Sequence, residues 1–531
     1  MKYNNSKFTI YLPLVIACSI VIGLFLGKIL WSRNSVTYNL NTNGNKIDEA
    51  IGFISKYYVD SISNNKLVED ALPALLAKLD PHSMYIPASE FNDVNDPLEG
   101  EFEGIGVQFN VQNDTVIVMQ VISGGPSEKV NVKAGDRIVK VNDTTIAGIK
   151  ISSNQVVKKL KGPRGTKVKI GILRRGFNKL IDIVITRDKI PFYSIDASFM
   201  ADKETGYIKI SRFATTTFDE FKKHSEKLRE KGMKRLILDL RGNGGGVLQV
   251  STLIANEFLE SDKLIVYTEG RAFPREDYFS DGSGKFQDTK LAILIDEETA
   301  SASEILAGSM QDNDRCIIVG RRSFGKGLVM EQQKFSDGSA LRLTISRYYT
   351  PTGRCIQKPY DEDHEKYYAE IEKRFLNKEF EKIDSSKFPD SLKFYTPAGK
   401  IVYGGGGIMP DFFVPIDSLS HSKFYTEASS LIYDFAFDWA DSHRKELEKF
   451  KTGNAMYDYI QQKNLFPEFV EYTKKNKIVS TPKDTESSKD FITRKISLLA
   501  SRNILGDNAF FELWTKQDRA FKKALEEVKK M

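Results

Sequence analysis

Between Phe192 and about Ile356, strand-like apolar runs (GYIKI, RLILDL, LAILI, CIIVG) alternate with segments of helical period (TFDEFKKHSEKLREKG, SASEILAGSMQD). Alternation of this kind is the pattern of an α/β layer, and it directs the search for chemistry to the strand ends. The rest of the chain differs in texture. Between about Gly100 and Arg187, short β-branched runs (VIVMQVI, DRIVKVN, KVKIGIL, IDIVITR) are separated by Gly, Pro and Asn turns and interrupted once by a helical stretch, Ser152 to Leu160. This predicts a compact β-rich domain inserted ahead of the α/β layer. Apolar residues at helical spacing (Ile47, Ile51, Ile54, Tyr58, then Leu67, Ala71, Leu75, Leu79) predict a small helical segment before it. Charged, helix-period sequence fills Asp361 to Lys382 and about Phe424 to Met531.

The N-terminus carries an uncharged stretch, Phe8 to Gly27. Twenty helical residues at about 1.5 Å each span roughly the 30 Å of bilayer hydrocarbon. No A-x-A-like exit follows, so the expectation is an uncleaved signal anchor with the bulk of the chain outside the cytoplasm, on the periplasmic side. The competing role is a buried core helix. The expected boundaries are 1–33 for the transmembrane anchor, 34–92 for the helical segment, 93–190 for the β-rich domain, 191–415 for the α/β core and 416–531 for a helical extension.

Composition removes several classes. Lys and Arg number 77 against 71 Asp and Glu over 531 residues, too even a balance to indicate a nucleic-acid partner. Three cysteines and five histidines without zinc-ligand spacing give no disulfide framework and no expected metal.

Three motifs sit at strand ends of the α/β layer. LILDLRGNGGGV, Leu236 to Val247, runs from an apolar strand into a glycine turn able to present backbone N–H groups to a developing anion, although taken alone it reads first as a tight strand-to-helix connection. LAILIDEETASASEILAGSM, Leu291 to Met310, places Ser301 at a strand-to-helix junction, with Ala302, Ile305, Leu306 and Met310 on one helix face. There a hydroxyl attacks a carbonyl while the Ala302 N–H meets the oxyanion, or else the serine simply caps the helix. CIIVGRRSFGKG, Cys316 to Gly327, contains G-x-x-x-x-G-K, but Gly327 stands where a nucleotide-binding loop needs Ser or Thr, and the sequence continues in strand style. Lys326 is then a surface lysine, or one desolvated among Phe324, Leu328 and Val329, with its pKa lowered toward the range of a base. No histidine lies in a Gly/Ser-rich strand end, which disfavours a Ser-His-Asp hydrolase; His82, in LDPHS, reads as a turn or packing residue.

Together the motifs resemble the C-terminal processing peptidases, tail-specific serine proteases with a Ser/Lys pair. The resemblance spans about Asn45 to Asp411 and rests on YYVDSISNNKLVEDALPALLAKLDPHSMY, LDLRGNGGG, TASASEILAGSMQD, FGKG, RYYTPTGRCIQKPY and VYGGGGIMPD, in that order. It implies a crotonase-like α/β protease core with an inserted PDZ domain. It also implies Ser301 as nucleophile, Lys326, 25 residues on, as base, and an oxyanion hole from Ala302 with Gly245 or Gly246. In the PDZ domain it implies a carboxylate loop at Gly104, Ile105, Gly106 and Val107, and a groove helix with Val156 and Leu160 one turn apart. Two positions depart from the family. Gly244 replaces its usual Pro, and Met330 replaces a Gln that helps orient the lysine. Gln332, two residues along the same strand face, is the expected substitute.

The expectation is a membrane-anchored endopeptidase that captures protein C-terminal tails and needs neither cofactor nor metal, with an oligomer or an activating partner left open. The alternative is a catalytically impaired PDZ adaptor, with Met330 marking a decayed site.

Overall fold

The computed structural model describes residues 45–531 apart from 113, 178, 362, 383–388, 417–421 and 479, together with 13, 16–24 and 26. The expected membrane anchor lies for the most part outside the described residues. Among the described residues, no helix is long and apolar enough to cross a membrane. The chain divides into two units, Met1–Leu75 and Leu76–Met531. The first carries helix α1 (Lys46–Tyr57), whose N-terminus is capped by the Asn45 carboxamide, and most of α2 (Asn64–Leu76).

Within the second unit, the β-rich domain contains β1 (Val107–Gln112), β2 (Thr115–Val121), β3 (Arg137–Val141), helix α3 (Ser153–Leu160), β4 (Lys167–Leu173) and β5 (Ile181–Thr186). The strands pair antiparallel in the order β1-β2-β3-β4-β5. Helix α3 begins where the sequence suggests, because Ser152 and Gln155 form a reciprocal capping box: the Gln155 amide donates to Ser152 Oγ at 3.3 Å and the Ser152 amide to Gln155 Oε1 at 2.9 Å. Val116, Val118, Ile138, Ile170 and Ile172 close a core of their own.

The α/β layer is a six-stranded sheet. Its strands are β6 (Ile195–Met200), β7 (Thr205–Ile210), β8 (Arg235–Asp239), β9 (Lys290–Ile295), β10 (Ile317–Gly320) and, after a second sheet, β13 (Phe412–Phe413), in that spatial order. From β7 onward all neighbours are parallel, in register Lys209↔Asp239 and Asp239↔Leu294, so the carboxyl ends align along one edge. The four strand-like runs of the sequence are β7 to β10. Both faces of the sheet are covered. Helices α4 (Thr217–Glu230), α5 (Leu248–Asn256) and α6 (Ala302–Asp312) pack on Leu236, Leu238, Ile293 and Ile295.

The opposite face receives the helical extension. Its main helices are α7 (Lys423–Ser442), α8 (Pro482–Leu505), α9 (Asp507–Thr515) and α10 (Arg519–Val528). Ala520, Phe521, Ala524 and Val528 of α10 meet Tyr207, Ile237, Ala292 and Leu294. A second sheet contains β11 (Leu328–Lys334) and β12 (Ala340–Tyr349), with the strand Met84–Ile86 on β12.

The extension also meets the β-rich domain, through polar groups. Gln112 Nε2 donates to Asp438 Oδ2 at 2.9 Å, Asn110 Nδ2 lies 3.4 Å from Asp434 Oδ1, and Arg137 and Arg175 each stand 3.6 Å from Asp441 Oδ2. The apolar cores of the two parts remain separate.

Candidate active site

Ser301 immediately precedes α6, at the end of the loop that follows β9, with φ 57° and ψ −120°. A left-handed φ is rare for a residue with a Cβ, and such strain gathers at functional turns, where surrounding structure enforces it. The enforcing group is Glu304. Its carboxylate is fully buried and accepts the Ser301 amide at 2.9 Å, the Gly325 amide at 2.8 Å, the Lys326 amide at 2.8 Å and the Ser323 hydroxyl. Burial pushes this carboxyl up to about 7, with the four donors pulling the other way.

Tyr348, from β12, closes the other side. Its hydroxyl donates to the Lys326 carbonyl at 2.8 Å, with the Ser301 carbonyl oxygen 3.2 Å away. The loops bearing the serine and the lysine are therefore fastened to each other twice, once by a carboxylate and once by a phenol.

The glycine turn after β8 lies against this junction. A Cβ on Gly245 would fall 2.7 Å from Ser301 Cβ and 2.9 Å from the Ala302 nitrogen, and one on Gly246 would fall 2.1 Å from the Phe213 carbonyl oxygen, so neither position admits a side chain. Buried Asn243 holds the turn: its Nδ2 donates to the Ile210 carbonyl at 3.0 Å, and its own carbonyl receives the Ala300 amide at 3.0 Å. Its Oδ1 accepts the Gly245 amide at 2.9 Å. Of the two glycines expected as oxyanion donors, Gly245 is thus already engaged. Among the described residues, the amides of Gly246 and Ala302 have no protein acceptor. Gly244, the family's Pro position, is exposed with open space where a Cβ would stand.

Lys326 is half-buried. Burial, assisted by the Arg342 guanidinium, lowers its ammonium to about 8. The expected substitute for the family Gln does not turn to the lysine. Gln332 Oε1 accepts from Arg342 Nη2 at 2.8 Å and from Nε at 3.2 Å, so Gln332 acts on the guanidinium that faces the lysine. Met330 stands opposite Thr344, next to a register shift in β11. Thr344 in turn donates to Asp80 Oδ1 at 3.0 Å, fixing the Asp80–Ser83 turn beside the site. His82 in that turn contacts the Tyr367 hydroxyl at 3.1 Å. Burial and the Lys326 charge hold its imidazole down at about 3, so it stays neutral. A strand, β11, follows Lys326 where a nucleotide-binding loop requires a helix.

The second functional surface is a cavity of about 290 Å³ lined by Gly104, Ile105, Gly106, Val107, Val157 and Leu160, with Phe102, Phe109 and Phe192. The expected loop residues and Leu160 are in place, but Val156 is not. It is fully buried in the domain core, and its neighbour Val157 faces the cavity instead. At the end of α3, Lys161 is held by Asp93 at 2.9 Å and Asp96 at 2.8 Å.

Sequence reasoning missed Glu304, Tyr348 and Arg342. The Ser-x-x-Glu spacing of a capping box was the one available signal for Glu304. Tyr348 lies within the RYYTPTGRCIQKPY motif but nothing there assigns its hydroxyl a role, and no motif covers Arg342; both stand on β12 of the second sheet.

A peptide-binding β domain beside a layered core, with a strained serine at a strand end, defines a PDZ-bearing serine peptidase. Comparison with known proteins agrees. The model for peptidase family S41 matches residues 204–365, that for a PDZ domain matches 104–185, and that for a family of unknown function (DUF8443) matches 425–506. A carboxy-terminal-processing protease of Bartonella bacilliformis is 35% identical over 347 residues, covering 64% of this chain and 79% of the relative. The carboxy-terminal processing protease CtpA of Bacillus subtilis is 32% identical over 314 residues, 59% of this chain and 66% of its own. Among solved structures, a photosystem II D1 C-terminal processing protease is 29% identical, covering 59% of this chain and 90% of that one with a TM-score of 0.33. The chain belongs to peptidase family S41, the C-terminal processing serine peptidases.

Proposed function

We propose that this protein is an endopeptidase in which Ser301 and Lys326 form the catalytic pair and the PDZ groove captures the C-terminal tails of its substrates. The tail adds a strand beside β1, and its carboxylate meets the Gly104–Val107 loop while apolar side chains enter the cavity near Val157 and Leu160. The Lys326 amine, once neutral, takes the proton from Ser301 Oγ as the oxygen attacks the scissile carbonyl. The amides of Gly246 and Ala302 receive the oxyanion, and the lysine returns its proton to the leaving amine. Water then releases the acyl group. The observation that carries this reading is the shared Glu304 carboxylate, which joins the backbone of the proposed nucleophile to that of the proposed base. The reading includes an N-terminal anchor, supported by the uncharged Phe8 to Gly27, with the catalytic part outside the cytoplasm.

The test uses the purified full chain and a reporter protein ending in an apolar tail. Ser301→Ala and Lys326→Ala are each expected to abolish cleavage while leaving tail binding intact; cleavage that survives either change overturns the pair. Sedimentation of the native chain with membranes, released by detergent but not by salt, checks the anchor.

One observation favours a second reading, an impaired adaptor. Gln332 is committed to Arg342, so its carboxamide does not replace the one that Met330 lacks. Tail binding without turnover in the parent chain, with turnover appearing in Met330→Gln, would establish it.

A further inference from the structure

The aligned carboxyl ends of β7 to β10 open toward both faces of the sheet. One face leads to α6 and Ser301. On the other, the helical extension leaves a cavity of about 730 Å³ against the strand ends. Its volume is that of a small-molecule site, and open α/β sheets hold ligands in the crevice beyond the carboxyl ends of their strands.

The lining is arranged in two layers. Next to the sheet the charges cancel. Arg241 lies 2.6 Å from Asp239 and 2.6 Å from Asp518, and Lys209 stands 3.5 Å from Asp239. Toward solvent they do not cancel. Arg494, Lys495, Arg519 and Lys522 line the same cavity, and the one remaining acidic group in its wall is Asp296. Among the described residues, Arg494, Arg519 and Lys522 have no carboxylate partner, whereas Lys495 donates to the Tyr425 hydroxyl. Apolar and aromatic side chains complete the wall, among them Phe491, Leu498, Phe510 and Trp514, whose ring lies 4.7 Å from the Arg241 guanidinium.

We propose that this cavity is a binding site for a small single-chain amphiphilic anion. Its alkyl chain lies against Phe491, Leu498, Phe510 and Trp514, and its carboxylate or phosphate head is held by Arg494, Arg519 and Lys522. Both parts are required. An apolar chain alone leaves the cations without a partner, and a bare anion leaves the aromatic wall wet. The volume is that of a small molecule.

Trp514 reports the site directly. The full chain is titrated with dodecyl phosphate below its micelle concentration while tryptophan emission is followed, with calorimetry in parallel. One saturable site is expected, with the emission change lost in Trp514→Phe. Binding should weaken at least tenfold in Arg494→Glu and in Lys522→Glu. Lys522 is exposed, so its variant is expected to keep the parent melting temperature and to separate lost binding from lost folding. Dodecanol and inorganic phosphate should both compete poorly. Three results would overturn the proposal: emission that never saturates, affinity indifferent to both charge reversals, or inorganic phosphate competing as well as the alkyl phosphate.

Discussion

The amides of Ser301 and Lys326 donate to one and the same oxygen, Glu304 Oε2, at 2.9 and 2.8 Å. A residue at a strand-to-helix junction and another at the mouth of a separate strand thus share a single acceptor, one of the two ties, with the Tyr348 hydroxyl, that fix the spacing of their loops.

Glu304→Gln removes that arrangement while keeping the side chain's shape. A carboxamide turns an NH2 group toward N–H donors, leaving buried donors unmet at a cost of about 1 to 3 kcal/mol each. The expected result is a fall in kcat of roughly 100-fold, as for a small misplacement of reacting groups, with little change in KM. Steady-state kinetics on a tailed substrate, with thermal melting to register the lost stability, checks it. Unchanged kcat would show that the shared oxygen does not position the pair.

The Lys326 ammonium, lowered to about 8 by burial and then by Arg342, gives the pH dependence its sign. In the proposed mechanism the amine serves as a base only when deprotonated, so kcat/KM is expected to rise with pH through about 8 and then level. Arg342→Gln removes a positive neighbour that disfavours the ammonium. The lysine pKa should go up and the rising limb should move to higher pH, though burial keeps it below that of an exposed lysine. A pH profile of both proteins measures the displacement; a shift to lower pH would contradict this electrostatic account.

Tyr348→Phe deletes the hydroxyl between the Lys326 and Ser301 carbonyls. One internal hydrogen bond is lost, so stability is expected to drop by about 1 kcal/mol. Turnover should fall more than this modest destabilisation explains, since the same contact holds both loops. Denaturant melts paired with kcat, measured where the variant is fully folded, separate the two effects.

Val157→Arg puts a charge into the groove without touching the PDZ core. Tail affinity is expected to drop about tenfold or more, because a desolvated charge replaces apolar contact. Cleavage of short peptides too small to reach the groove should be unchanged. Fluorescence anisotropy of a labelled apolar tail supplies the first measurement and a short quenched peptide the second.

Much of this was legible in the sequence where local chemistry decides the outcome. The apolar runs of β7 to β10 announce strands covered on both faces, and the Gly-rich and Ser-rich segments fall at their carboxyl ends. Helical phase was harder to read. Val156 and Leu160 share a helix face, but that face is turned chiefly into the domain core, leaving Val157 and the edge of Leu160 for the groove. Helix α6 misled differently. The expected apolar face of Ala302, Ile305, Leu306 and Met310 packs into one core, but every other residue from Ala302 to Asp312 is buried as well, so periodicity could not mark Glu304 as a polar group with partners inside. Gln332 meets Arg342 directly across the β11–β12 hairpin, a pairing that the Asp337-Gly338 turn encodes locally, but that the guanidinium rather than the lysine takes its carboxamide is not written in the pattern.

The seam between the PDZ domain and α7 is built from carboxylates facing amides and guanidinium groups, all of which water can replace. Charged contacts of this kind weaken as ionic strength rises, so added salt should loosen this seam while leaving the separate apolar cores on either side of it intact.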